Sequence, residues 1–363
     1  MRRVCFAIVI GIAILTVFSL AQQAPSSGPY PTTGPYKVLK TAKVGGDGGF
    51  DYVYADPDGR KLYIPRKGPG RVTVFDLDSL QPAGEIADTN ANGAAVDPKS
   101  GHGFASSKPV AMWDSKTLKP IKTIDVEGGP DGILFDPFNQ RVWVFSHRAP
   151  HATVIDAKEG TVAGTLDLGG APEQAVTDGA GHMYVDIEDQ GNVAAIDTRA
   201  LKVTGHYSLE GKGDTPAGLA FDVKNHVLFV ACRQPAPGVM VMMNSEDGKI
   251  ISTLPLMGGS DGAVFNPATM EAFSSAGNAT LSIIKEKSPT SFEAEQVVTT
   301  MTQGKTLTLD PKTNHVLIIA AEYGPPPPPS AEPPKDGQKG GRGGRGGRGP
   351  MLPGSFSVLV VGK

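Results

Sequence analysis

One motif recurs seven times along the chain and constrains the fold more than any other feature. Each copy has a Gly- or Pro-containing turn, a short apolar run, an Asp-Pro pair or a variant of it, and a run of aromatic and β-branched residues. The seven copies are anchored at Asp56-Pro57, Asp97-Pro98, Asp136-Pro137, Asp178-Gly179, Asp222-Val223, Asn266-Pro267 and Asp310-Pro311. These anchors lie 41, 39, 42, 44, 44 and 44 residues apart. Repeats of about 42 residues are typical of four-stranded blades around an axis. The sequence therefore predicts an all-β, seven-bladed β-propeller.

Each repeat divides into four short runs that are expected to form strands a to d of one blade. In the third repeat these runs are 131–136, 142–145, 152–156 and 161–166. They are rich in β-branched residues and are bounded by turn-forming residues, as strands of a meander are. Gly 46 and Pro 31 together make up about a fifth of the 363 residues, which favours many tight turns. The anchor Asp-Pro is expected to open the a–b hairpin.

The two ends of the chain are predicted to close the ring. The last repeat ends at 356–361, which matches strand c, and no strand d follows it. The segment 38–44 precedes the first turn, where a strand d would lie. Pairing of these segments would complete the seventh blade and remove the exposed sheet edges.

The first residues are interpreted as a signal peptide over 1–21, cleaved after Ala21. Arg2 and Arg3 precede an apolar run that is short for a membrane span, and Ser19 and Ala21 form a small-residue cleavage site. An uncleaved N-terminal anchor is the alternative. A Pro/Ser/Gly-rich linker is predicted over 22–36 and the propeller over 37–363. We therefore expect a periplasmic or secreted monomer with no transmembrane segment after cleavage.

A Pro-rich and Arg-Gly-Gly insertion over 324–354 interrupts the seventh repeat. Its residues cannot bury apolar surface, so the sequence predicts disorder. The net charge of the whole chain is −3, which argues against a wholly basic nucleic-acid-binding body. Arg342, Arg345 and Arg348 are nevertheless candidates for a weak nucleic-acid or polyanion contact through phosphate charge. A flexible solubilising loop is the equal alternative.

The segments Lys61–Pro65 (KLYIP) and Val72–Asp76 (VTVFD) resemble the repeat of the YncE-like, or YVTN-repeat, β-propeller family. The turns Pro130-Asp131-Gly132 and Pro172-Glu173-Gln174 fit the turn that precedes strand a in that family. The resemblance covers nearly all of the chain after the leader except the insertion. It implies an exported propeller, mostly without assigned catalysis, and some members of the family are reported to bind single-stranded DNA. It transfers no catalytic residue to this sequence.

No metal site and no cofactor are predicted from the sequence. Four of the seven histidines lie four or five residues after an anchor, in the predicted a–b hairpin: His102, His182, His226 and His315. The radial symmetry of a propeller would place them in different blades. Metal ligands must converge within bond lengths of about 2 Å. No Gly-rich phosphate loop, Ser elbow or Cys-x-x-Cys motif is present, and Cys232 ends an apolar run typical of a buried strand.

Two sets of polar residues are expected to meet at the mouth of the central channel. Residues five positions before an anchor begin the innermost strands, and those with polar side chains are Asp51, Asn92, Asp131, Glu173, Asp261 and Lys305. The b–c loops on the same face contribute Arg66, Lys108, His147, Arg148 and Arg233. Local capping of turns by the acids and surface ion pairing by the bases are the alternative explanations.

The sequence thus favours a non-catalytic binding or scaffold propeller, with an unknown protein, small-molecule or polymer ligand on this upper face. The first alternative is an enzyme of lactonase or lyase type. It would use His147 as the base, Glu173 or Asp131 as the carboxylate, and Arg66, Arg148 and Arg233 as anion clamps. The second alternative is single-stranded nucleic-acid binding aided by the insertion.

Overall fold

The computed structural model describes residues 28–325 and 349–363, and within these ranges the regular secondary structure is entirely β. The strands form seven four-stranded antiparallel sheets that follow one another along the chain. The predicted seven-bladed β-propeller is therefore confirmed. The signal-peptide prediction over 1–21 lies outside the described residues.

The first sixteen strands supply one strand of blade 7, all of blades 1 to 3, and three strands of blade 4. In chain order they are β1 (Lys37–Lys43), β2 (Tyr54–Asp56), β3 (Lys61–Arg66), β4 (Arg71–Asp76), β5 (Pro82–Ile86), β6 (Ala94–Asp97), β7 (His102–Ala105), β8 (Val110–Asp114), β9 (Pro120–Ile124), β10 (Pro130–Asp136), β11 (Arg141–Ser146), β12 (Ala152–Asp156), β13 (Thr161–Leu166), β14 (Pro172–Thr177), β15 (His182–Ile187) and β16 (Asn192–Asp197).

The remaining twelve strands complete blade 4 and form blades 5, 6 and 7. They are β17 (Lys202–Ser208), β18 (Asp214–Asp222), β19 (Val227–Gln234), β20 (Val239–Asn244), β21 (Ile250–Pro255), β22 (Ser260–Asn266), β23 (Glu271–Ala276), β24 (Asn278–Ser288), β25 (Ser291–Thr302), β26 (Thr306–Asp310), β27 (His315–Ala320) and β28 (Ser357–Gly362).

The anchor residues hold the a–b hairpins, as predicted. In blade 1 the Asp56 carboxylate accepts hydrogen bonds from the backbone N–H groups of Asp58 (3.1 Å) and Gly59 (2.9 Å). The other six anchors each accept a bond from the N–H two residues onward, at 2.7 to 3.1 Å. An Asp or Asn side chain can cap a turn in this way while Pro fixes φ. The motif therefore marks the same turn in every blade.

The N-terminal strand joins the last blade. The order of the seventh sheet is β1-β28-β27-β26, and β1 pairs with β28 from Lys37 opposite Gly362 to Lys43 opposite Ser357. The predicted pairing of the two chain ends is therefore present. The outer strand of blade 7 is supplied by the start of the propeller, so the first and last repeats are tied together.

The core consists of seven apolar clusters, one at each interface between neighbouring blades. Trp143 and Phe145 of blade 3, for example, pack against Met183 and Val185 of blade 4. The cluster between blades 1 and 7 contains Leu62 and Phe356, so the ring of contacts is complete. Burial of these faces is the main favourable contribution to folding in such a sheet stack. The core therefore surrounds the central channel and does not fill it.

Two segments outside the regular blades are described in part, the predicted linker and the insertion in blade 7. The part of the predicted linker from 28 to 36 packs on the ring, with Tyr30 and Tyr36 almost fully buried. Tyr36 also donates a hydrogen bond to Glu271 of blade 6. At the insertion, Tyr323 pairs with Met351 in a short bridge, and 326–348 lie outside the described residues. No helix within the described ranges is long and apolar enough to cross a membrane.

Candidate functional site

A cavity of about 980 Å³ opens where the innermost strands begin. All seven blades contribute to its lining, because the d–a and b–c connections converge on this end of the axis. Nine of the eleven residues predicted to bind a ligand are among the lining residues: Asp51, Asn92, Asp131, His147, Arg148, Glu173, Arg233, Asp261 and Lys305. The structure therefore brings most of the predicted set together at one site.

Blades 3 and 4 contribute a histidine between two carboxylates. The Nε2 atom of His147 lies 3.3 Å from an Oδ2 atom of Asp131 and 3.5 Å from Oε1 of Glu173. Asp131 is the second residue of strand β10, Glu173 is the second residue of β14, and His147 follows β11, so three separate elements converge here. Nε2 is buried and has no hydrogen-bond partner of good geometry. The three side chains are thus close without being joined by a regular hydrogen bond.

Burial and mutual repulsion raise the pKa values of these carboxyl groups. Desolvation, followed by the nearby charges of Glu188 and Asp131, raises the pKa of Glu173 to about 9. Desolvation and then Asp51 raise the pKa of Asp131, although His147 opposes the shift. Beside them, Asp186 is fully buried and neither of its carboxylate oxygens has a hydrogen-bond partner. Its pKa is raised well above the usual range by burial and then by Glu173.

The opposite side of the cavity is held by ion pairs. Arg233 of blade 5 pairs with Glu188 and Asp261, and Lys305 of blade 7 pairs with Asp261 and, at 3.4 Å, with Asp51. Burial would raise the pKa of Asp261, but the charges of Lys305 and Arg233 outweigh burial and lower it. The acids on this side are therefore matched by cations. Asp131 and Glu173 lie beside His147, and the charges of Lys67 and Lys305 on Asp131 and of Arg233 on Glu173 do not offset the effect of burial.

Two large side chains close the channel below the cavity. Tyr52 lies with its hydroxyl 3.4 Å from Oε2 of Glu173. Gln174 reaches across from blade 4, because its Oε1 atom accepts hydrogen bonds from the N–H groups of Leu219 and Ala263, both at 3.0 Å. Its amide group also donates to the carbonyl oxygen of Ala263 at 2.8 Å. Gln174 therefore links the innermost strands of blades 4, 5 and 6.

Tyr52 and Gln174 are the residues that the sequence interpretation missed. Both lie four positions before an anchor, and the same phase in four other blades is occupied by glycine: Gly93, Gly132, Gly218 and Gly262. Glycine is needed there because a Cβ atom at Gly218 would lie 2.8 Å from the carbonyl carbon of Gly262. The sequence could have indicated these two residues, because they are large side chains at a repeat position that is glycine in four other blades.

Arg66 and Lys108 do not line the cavity. The guanidinium carbon of Arg66 lies 3.7 Å over the ring of Phe356, and its nitrogens donate to the carbonyl oxygens of Gly45 and Gly48. Burial lowers the pKa of Arg66 to about 10. Lys108 is exposed and donates to Gly128 at 2.7 Å. Of the predicted anion clamps, only Arg148 remains exposed at the rim of the cavity.

The remaining predicted contacts, Arg342, Arg345 and Arg348, lie outside the described residues. A further cavity of about 480 Å³ lies between blades 4 and 5 and is lined in part by His182 and His226. His182 there pairs with Asp178 at 2.7 Å and is largely exposed.

Comparison with known proteins supports the fold alone. No family model matches the chain, and no curated protein matches it. Among solved structures it is similar to the RRP9 WD40 repeats, with a TM-score of 0.69 and 10% identity over 92% of this chain and 99% of that one. It is also similar to U3-55K, with a TM-score of 0.68 and 10% identity over 91% and 99% of the two chains.

A third similar structure is hydrazine synthase from Kuenenia stuttgartiensis, with a TM-score of 0.66 and 15% identity over 75% of this chain and 92% of that one. Identities at this level establish a shared architecture and no shared chemistry. The chain thus shares the β-propeller architecture of these structures, and its function has to be argued from its own site.

Proposed function

We propose that this protein is an exported, non-catalytic binding propeller of the YncE-like type, with its ligand site in the cavity at the channel mouth. The observation that carries the proposal is the convergence of charged side chains from separate blades on one concave site of about 980 Å³. Concave sites with a few convergent polar groups and perturbed pKa values are the usual location of ligands. The similarity to WD40 propellers supports a binding or scaffold role in general.

The distribution of charge indicates what kind of ligand fits. On the side of blades 5 and 7, Arg233 and Lys305 are engaged with acidic partners. On the side of blades 3 and 4, His147 lies 3.3 Å from Asp131 and 3.5 Å from Glu173, and burial still outweighs the nearby positive charges, so that the pKa values of both carboxyl groups are raised. A ligand with a positively charged group on one side and hydrogen-bonding groups on the other would match both halves. We therefore propose a small polar ligand, or a partner side chain, that brings positive charge to blades 3 and 4.

A thermal-shift screen with a panel of cationic, neutral and anionic small molecules tests the proposal. A ligand of the folded state stabilises by mass action, about 2.7 kcal/mol at a hundred times its dissociation constant. Arg148→Trp places a bulky ring at the exposed rim of the cavity and should abolish the shift. The matched control is Lys158→Trp, at an exposed site on the c–d turn of blade 3. Equal ligand shifts in the two variants would contradict a site at the mouth.

Catalysis of lactonase or lyase type is the second candidate, and the position of His147 favours it. A general base must lie within reach of an orienting group and of its substrate, and His147 lies 3.3 Å from Asp131 and 3.5 Å from Glu173. In this function His147 would take the proton and the two carboxyl groups would orient its ring. Hydrolysis of a lactone panel should then fall about 100-fold or more in His147→Gln. Turnover that is unchanged in this variant would eliminate the candidate.

A further inference from the structure

The side chains of Asp131, His147 and Glu173 form a group whose donor atoms all lie within 4.8 Å of one another. From these positions we propose that they bind a divalent transition-metal ion of the zinc type. The inference rests on the proposed function, because it specifies the positively charged ligand at the same channel mouth. Imidazole and carboxylate donors together suit Zn²⁺ and similar ions. Three protein ligands would leave an open position toward the cavity.

Both distances from His147 fit tetrahedral coordination. Two ligands bound at about 2.0–2.2 Å with a tetrahedral angle between them are separated by about 3.3–3.6 Å. The Nε2 atom of His147 lies 3.3 Å from the Asp131 oxygen and 3.5 Å from the Glu173 oxygen. Small rotations of the side chains would bring all three atoms to one ion.

A simple ion pair explains the same group less well. Hydrogen bonds between charged groups are typically about 2.7–2.9 Å long, which is shorter than both distances from His147. Nε2 is also buried without a hydrogen-bond partner, which costs free energy unless something else binds it.

The surrounding structure holds the three ligands in place from separate elements. Ser106 donates to the backbone carbonyl of Asp131 at 2.5 Å, and Ser146 donates to the carbonyl of Arg148 at 2.8 Å, which fixes the loop that carries His147. The Tyr52 hydroxyl lies beside the second oxygen of Glu173, at 3.4 Å. Such outer contacts orient metal ligands before the ion arrives.

Isothermal titration calorimetry on the EDTA-treated, purified protein tests the inference with ZnCl₂, MnCl₂ and CaCl₂ as separate titrants. We expect one Zn²⁺ per chain, with Ca²⁺ at least about 10-fold weaker because imidazole is a poor ligand for a hard cation. Because loss of an outer contact alone costs 10–100-fold, His147→Ala and Glu173→Gln should each weaken Zn²⁺ binding by about 100-fold or more. His182→Ala, which removes an exposed histidine paired with Asp178, is the matched control and should bind as the parent does.

Zn²⁺ binding that is equal in the parent and in His147→Ala would overturn the inference, as would an absence of binding. If that variant does not fold, NMR of the parent protein decides: of seven histidines, the Nε2 resonance of His147 should shift first on titration with Zn²⁺. A first shift at His151 or His182 would overturn it. If Zn²⁺ does not bind while Arg148→Trp still abolishes a small-molecule shift, the metal inference fails and the proposed function stands. Failure of every titrant and every panel compound would contradict both.

Discussion

Gly218 lies where two neighbouring innermost strands approach most closely, and its replacement by alanine tests how the ring is packed. The added Cβ would lie 2.8 Å from the carbonyl carbon of Gly262, 2.9 Å from the N atom of Ala263 and 2.9 Å from the Oγ atom of Ser260. Two of these three atoms belong to the backbone, so they cannot rotate away. Strands β18 and β22 would have to separate by several tenths of an ångström, and the hydrogen bonds that the N–H groups of Leu219 and Ala263 donate to Gln174 would lengthen.

Two opposing effects determine how Gly218→Ala changes the free energy of unfolding. Overpacking of this kind typically costs about 1–3 kcal/mol, whereas Gly→Ala gains about 0.4–1 kcal/mol by restricting the unfolded chain. We expect Gly218→Ala to lower the free energy of unfolding by about 1–2 kcal/mol, a factor of about 5–30 in the folded-to-unfolded ratio. Guanidinium chloride unfolding followed by the fluorescence of the two buried tryptophans, Trp113 and Trp143, measures it.

Gly129→Ala is the control, because a Cβ there meets no atom within 4 Å. It should be neutral or slightly stabilising. A Gly218→Ala variant as stable as Gly129→Ala would refute the reasoning, since the close approach of the strands would then carry no energetic weight.

Three further perturbations have outcomes that the structure determines. Burial, with the nearby Asp222, raises the pKa of Glu286 to about 7, so the free energy of unfolding should fall as the pH rises from about 4.5 to 7. In urea unfolding, Glu286→Gln should stabilise the protein by about 1–3 kcal/mol at pH 8 but little at pH 5. An equal gain at both pH values would contradict this. Burial also raises the pKa of the Cys232 thiol, so a disulfide reagent should label it only in denaturant, and rapid labelling of the native protein would show that blade 5 is open. Arg233→Met should lower the free energy of unfolding by about 1–2 kcal/mol, between the values for exposed and buried ion pairs. The variant leaves Glu188 without its cation, whereas Asp261 keeps Lys305. A coupling energy near zero in a double-mutant cycle with Glu188→Gln would contradict the pairing.

The fold was predictable because the repeat phase and the turn chemistry agree. In blade 3 the expected strands c and d coincide with β12 (Ala152–Asp156) and β13 (Thr161–Leu166), and strands a and b differ by one residue at their ends. The anchor Asp136 accepts the N–H of Phe138 in the a–b turn. The repeat predicts strand bounds and turns well because the same turn and strand contacts recur in every blade.

The site was only partly predictable, because repeat phase gives the position of a residue and not the direction of its side chain. Arg66 ends strand β3 in the expected phase, yet its guanidinium turns into the interface of blades 1 and 7 and stacks on Phe356. The closeness of Asp131, Glu173 and His147 depends on contacts between blades 3 and 4 that lie about 40 residues apart in the chain. Repeat phase predicted these three residues at the mouth as a base and its carboxylates, but it gave no indication that their donor atoms lie within 4.8 Å of one another.

The central claim is that the ligand of this protein occupies the channel mouth beside blades 3 and 4. A crystal structure of the protein with the panel compound or metal ion that stabilises it most tests this directly. The account predicts ligand density in the 980 Å³ cavity, in contact with Asp131, His147 or Glu173. Density confined to the 480 Å³ cavity between blades 4 and 5, with only water at the mouth, would contradict it.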